Sequence, residues 1–518
     1  MLVRIASKAR SASASLVRTL ALRGALCLVL SFGAFLLLAT HAPRTSDAAR
    51  AAAALPSPDY MSERDRRLYQ DIYALQARGD SEGADAAIAQ LTNPVLLGHV
   101  LAARYLGAPE KATRAELTDW LARYADHPEA KEIRALALRR GADAKTIAAL
   151  NIESDRLRGD GAIPQVGGGT MPDGWYHGLS LWRAQNYKAA AESFAGIGDN
   201  ESLEAWQRAA GDYWAWRSYS RLDENGDAER ALADAARYPT TFYGLLALRQ
   251  RGDWPKLAAR APAVPDAVRA NPHAVRARAL TAIGRSDDAE DELRQLYAEL
   301  DPRDRPAIVT LAGEIDLANL EVRLARLPQL SQEEAIFAAY PMPAFAQTAS
   351  ASIDPALVLA IARQESGFRE EARNGSSGAL GMMQMLPSTA QGVLRNLRAG
   401  GVAFASASDM SVREQLADPE RSFRLGAEYV KLLEREPAVG NNLIKILAAY
   451  NAGPGAVAGW QAEARNVTDP LLYLESIPYG ETRSYVMEVA AHYWVYATLM
   501  GKHPQSLAAM AQGDWPKV

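Results

Sequence analysis

Between residues 60 and 330 the chain repeats one local design: short amphipathic helical stretches, few strand-like alternations, and turns marked by Gly79-Asp80, Gly226-Asp227 and Gly252-Asp253. Apolar residues at helical spacing give each stretch one greasy face, which a neighbouring helix has to cover. A faint echo points to such pairing, because Gly79, Gly226 and Gly284 are each followed five positions later by alanine, at Ala84, Ala231 and Ala289. A glycine turn and a small residue where helices approach is the logic of stacked helix pairs. The expected fold is therefore all-α, with an N-terminal α-superhelical solenoid. At 518 residues the chain exceeds a single core. The prolines of Tyr340-Pro-Met-Pro343 set the expected boundary, giving a solenoid over residues 49–338 and a second helical domain over 339–518.

The first 48 residues differ in kind. Arg4, Lys8, Arg10, Arg18 and Arg23 precede an apolar run over residues 25–39, and small residues follow. That order is expected of a secretory signal peptide, cut after Ala42 or Ala48. An uncleaved anchor is the alternative, and the short apolar run disfavours it. The sole cysteine, Cys27, lies inside this run, so disulfide and thiolate chemistry are excluded from a processed chain. Removing the segment's six basic and one acidic residues takes the net charge from −4 to −9, a poor balance for binding nucleic acid.

Two further features stand out before the second domain. Glycines around residues 159–169 mark a loop or hinge. Trp175, Trp182, Trp206, Trp214 and Trp216 then follow closely. Indole rings stack on sugars, yet large aromatics dominate core burial, so packing between helices is the favoured reading.

The chemistry concentrates in residues 353–390. Asp354-Pro355 is a helix start, because Asp caps free amides and Pro tolerates the first helical position, and Gly367 is a stop. Counting by fours from Leu357 through Ile361 lands on Glu365, on the apolar face. Lost hydration, an apolar wall and the negative helix end would all raise its pKa, giving an acid that keeps its proton near neutrality. Read from this helix alone, a glutamate reaching water at a frayed end is the plainer account.

Three more segments carry polar side chains near helix ends. Gly378-Ala-Leu-Gly381-Met-Met383-Gln384, followed by Pro387-Ser-Thr-Ala390, offers a sharply turning backbone, adaptable methionines and an amide. Ala449-Tyr450-Asn451-Ala-Gly453-Pro-Gly455 breaks an apolar helix, and Ile477-Pro-Tyr-Gly480-Glu481-Thr-Arg483 opens another. Taken in order with Glu365-Ser-Gly-Phe368, these segments closely resemble the soluble lytic murein transglycosylases, whose catalytic domain is similar to goose-type lysozyme. The resemblance covers residues 340–500, and Tyr238-Pro-Thr-Thr-Phe-Tyr243-Gly looks like part of the same proteins' helical domain.

The resemblance implies a lysozyme-like catalytic domain that cleaves the β-1,4 bond between N-acetylmuramic acid and N-acetylglucosamine and leaves a 1,6-anhydro end. It implies Glu365 as the single acid and base, Tyr450 as the group that orients the reaction, and Ser376, Met383, Gln384, Asn451 and Glu481 along the substrate groove. One extra residue between Glu365 and Gly381 leaves the groove serine open between Ser376 and a replacement by Asn374, and Leu386 stands where relatives often carry Met. The expected partners are peptidoglycan strands, with other cell-wall enzymes as a secondary class, and no nucleic acid, cofactor or metal. The expected location is the periplasm, or the membrane facing it if the leader is retained. The rivals are a muramidase, with a loop acid such as Asp409 assisting water, and a non-catalytic peptidoglycan-binding scaffold.

Overall fold

The computed structural model describes residues 61–150, 157, 169–348, 353–401, 404, 410–463 and 467–518. The expected leader, Asp409 and most of the glycine-rich loop lie outside them. The described residues belong to one compact unit. Among them there is no extended strand, only helices and three isolated antiparallel bridges. No described helix is long and apolar enough to cross a membrane.

From Glu63–Ala77 to Gln332–Ala339 the chain is a succession of short helices. Gly79 and Gly284 make left-handed turns at φ 77° and 79°, and Ala84 and Ala289, on the helices that follow, are fully buried. The expected turn at Gly226 is corrected: Gly226 lies inside the helix Asn225–Ala235, and Asp223 at φ 57° turns the chain instead. Asp tolerates that region because its short side chain bonds locally.

The tryptophans fill the interior. Trp175, Trp182, Trp206 and Trp214 are buried, and Trp214 meets Trp175 and Trp182 edge to face at 6.0 and 5.4 Å. Edge-to-face contact is the favoured arrangement of ring quadrupoles, and it leaves these rings unavailable to a glycan.

A buried cluster of charges joins helices far apart in sequence. Arg276 grips both oxygens of Glu292, Nε to Oε1 at 2.6 Å and Nη2 to Oε2 at 3.0 Å. His99 reaches the same carboxylate at 2.7 Å and His273 at 2.5 Å. The outer nitrogens of the two imidazoles meet Glu129 and Glu299, and Arg276 also bonds Asp126. His99, His127 and Glu292 are close enough to form a metal-binding triad, but the guanidinium already supplies the positive charge. Helix Leu97–Gly107 is thereby tied to helix Ser286–Glu299.

The segment 238–244 docks on the C-terminal helices. Phe242 stacks on Trp494 at 5.3 Å. Tyr243 donates to the buried Glu475 at 2.8 Å, and Trp175 points its indole N–H at the other oxygen. Arg217 pairs with Asp469 nearby.

Candidate active site

Helix Pro355–Ser366 forms as its ends dictate. Asp354 accepts from the amide of Ala356, and Gly367 closes the helix at φ 60°. Its face from Ala356 to Ala362 is completely buried. Arg363 fixes the last turn, donating to Ala339 O at 2.8 Å and to His492 Nε2 at 2.6 Å. Burial and the Arg363 charge hold His492 neutral, so its remaining proton sits on Nδ1 and faces the Tyr340 hydroxyl at 3.3 Å. The following side chains, Gln364 and Glu365, turn toward a cleft of about 1010 Å³.

Helix Gly480–Leu499 packs against helix Pro355–Ser366 and supplies the opposite wall. Tyr485 donates to Glu365 Oε1 at 2.7 Å. Burial pushes the Glu365 carboxyl up to about 7; the Tyr485 bond opposes this and the Glu481 charge adds to it. A carboxylic acid in that range holds and releases a proton near neutrality. Tyr450, at the end of helix Leu443–Ala452, donates to Met383 O at 3.0 Å and leans on Tyr429, ring to ring at 5.3 Å.

The cleft floor is the turn over residues 372–386. Gly381 donates to Ala372 O at 2.8 Å with φ 73°, and a Cβ there would meet Leu416 O at 1.9 Å. Gly381→Ala is therefore expected to destabilise the protein by roughly 2 kcal/mol or more, read as a lowered urea midpoint.

Residues 342–471 match the family model described as the Transglycosylase SLT domain. The chain is 29% identical over 334 residues to the soluble lytic murein transglycosylase of Salmonella typhimurium, covering 62% of this chain and 50% of that protein. It is 35% identical over 155 residues to a putative soluble lytic murein transglycosylase of Haemophilus influenzae, covering 30% of this chain and 24% of that one. The crystal structure of the 70 kDa soluble lytic transglycosylase of Escherichia coli aligns with a TM-score of 0.53 at 20% identity, covering 90% of this chain and 76% of that chain.

Residues 342–471 therefore carry a Transglycosylase SLT domain.

The chain spans about half the length of the curated relatives it matches. Its fold class is that of the Escherichia coli structure, a helical superhelix followed by a lysozyme-like helical domain. Glu481 and Tyr485 lie beyond the matched span, yet both face Glu365.

Of the expected groove residues, Glu365, Gln384, Tyr450, Asn451 and Glu481 line one cleft. Asn451 accepts from Thr482 at 2.6 Å. Gln384 spends its amide nitrogen on Ala372 O and Gly381 O, bracing the turn. Two expectations are corrected. The Met383 side chain is fully buried against Gly426, leaving its carbonyl to meet Tyr450. Ser376 bends back to Asn374 Oδ1 at 2.7 Å, and Asn374 and Ser377 line the cleft instead. The turn chooses among these polar residues by its local hydrogen bonds, which composition does not reveal.

Sequence reasoning also missed Tyr485, Glu488, Gln364 and Tyr176. The spacing of Glu481, Tyr485 and Glu488, four and then three residues, is the signal of one helix face. Tyr176 reaches the cleft from the superhelix, its hydroxyl 3.2 Å from Arg483, and no local pattern announces that.

Proposed function

We propose that this protein is a peptidoglycan lytic transglycosylase, cleaving between N-acetylmuramic acid and N-acetylglucosamine and leaving a 1,6-anhydromuramic end. The observation that carries the reading is a glutamic acid that burial pushes up to about 7, in an open cleft, with a tyrosine hydroxyl on one oxygen. Protonated Glu365 gives its proton to the bridging oxygen as the muramic C1–O bond breaks. The 6-hydroxyl of the same muramic residue bonds to C1, and its proton passes to the Glu365 carboxylate. Protons balance and no water is consumed, unlike hydrolysis by paired carboxylates. The muramic acetamido group can carry the charge meanwhile as an oxazolinium. Tyr450 holds the reacting sugar, and Gln384, Asn451 and Glu481 contact the glycan and its peptide.

In this reading residues 1–48 are an export signal, 49–338 the superhelix and 339–518 the catalytic domain. The protein acts in the periplasm on glycan strands, without a cofactor. A specific observation favours a second reading, hydrolysis by a muramidase: Glu481 and Glu488 share the cleft with Glu365, and either is a base for water.

Mass spectrometry of products from purified sacculi separates the outcomes. Anhydro-ended muropeptides are expected. Reducing ends would establish the muramidase, and binding without release would leave a scaffold.

Tyr485→Phe removes a donor to the ionised form of Glu365, so the carboxyl should become harder to ionise. Activity that needs the proton is then expected to persist to higher pH than in the parent. An alkaline limb that stays in place or moves down would separate Tyr485 from the acid.

A further inference from the structure

The cleft is acidic. Among its lining residues Glu365, Glu481 and Glu488 face a single cation, Arg483. Arg483 is committed elsewhere, donating to Ile477 O at 2.8 Å and to the Tyr176 hydroxyl at 3.2 Å, with Glu475 at 3.8 Å. Glu488 is the most enclosed of the three acids, with 7% of its surface exposed, on the cleft wall one turn beyond Tyr485. Its hydrogen-bond partner is the neutral amide of Gln364. Arg363, whose field reaches it, turns its own N–H groups to Ala339 O and His492.

A largely buried carboxylate beside an open cleft, bonded to one amide, is costly to ionise. Burial accordingly pushes Glu488 up to about 7. A cation delivered from the cleft side would lower that cost and form a charge-assisted bond. Gln364, next in sequence to the proposed acid, bonds this carboxylate in the same cleft.

We propose that Glu488 is a specificity-determining residue that recognises a primary ammonium group on the substrate. This rests on the cleft being a peptidoglycan site. Two parts of such a substrate carry the chemistry: the free amine of a diamino acid in the stem peptide, or the 2-amine of a glucosamine that has lost its acetyl group.

The test is calorimetric binding to full-length protein carrying Glu365→Gln, so that ligand is not consumed. The probes are a disaccharide-peptide with a free peptide amine, the same molecule acetylated on that amine, and the acetylated molecule with its glucosamine de-N-acetylated. At least one free amine is expected to strengthen binding roughly tenfold over the fully acetylated probe, as one charged hydrogen bond would, and the arm showing the gain identifies the source. Adding Glu488→Gln should shrink that ratio to within about twofold. Glu488→Asp, with its charge on a shorter arm, should keep a preference of about threefold and guards against a misfolded amide variant.

Equal binding of all three probes, or a preference that survives Glu488→Gln, overturns the role of Glu488 and leaves the site standing. Failure to bind any probe overturns the site and this role together.

Discussion

Glu365→Gln is expected to lower muropeptide release by roughly 10³-fold or more, the scale of losing a positioned general acid, while glycan binding persists. The amide keeps the shape of the protonated carboxyl and has no proton to transfer. Folding should not suffer. The folded pKa of Glu365 is raised to about 7 from 4.5, so between those values the folded state holds more protons than the unfolded one. Stability from this group therefore falls as pH rises from about 4.5 to 7. The amide variant lacks that loss, and its melting temperature should match or exceed the parent's toward neutral pH. Full lytic activity in the variant would remove Glu365 from the mechanism.

The second large effect is structural. Glu292→Ala should cost roughly 3–5 kcal/mol, because removing one partner leaves the other charges buried without compensation. Arg276, His99 and His273 all converge on that carboxylate. Although burial works against it, the bonds from His273, His99 and Arg276 keep Glu292 ionised well below the usual carboxylate range. Despite the same burial penalty, Glu129 and Glu292 push His99 up to about 10, and Glu292 and Glu299 push His273 up to about 9. Both folded values lie above the ordinary 6.5, so their stabilisation is fully present below that pH and is lost as pH rises through about 9 to 10. Urea unfolding at neutral and alkaline pH checks both statements. A neutral-pH change under about 1 kcal/mol would show that the cluster contributes no more than a surface pair.

Much of the site was legible because its parts are local. Asp354, Pro355 and Gly367 bound the helix that carries Glu365 through capping and backbone conformation, which depend on neighbours a few positions away. The count by fours that put Glu365 on the apolar face needs only the helical period. Met383 and Ser376 fell otherwise, since the side a loop residue faces depends on what packs beneath it: Gly426 leaves space for the methionine, and Asn374 captures the serine.

The sequence by itself determined the all-helical class, the ends of the helix that carries Glu365, and the choice of Glu365 as the candidate acid. Each follows from interactions between residues close along the chain. The tertiary structure decided which hydroxyl meets Glu365, which second carboxylate shares its cleft, and which charges tie distant helices together. Tyr485 lies 120 residues from Glu365, Tyr243 lies 232 from Glu475, and His99 lies 193 from Glu292. Such pairs form only where two helices cross, and the crossing is set by packing of whole faces, to which no single stretch of sequence holds the key.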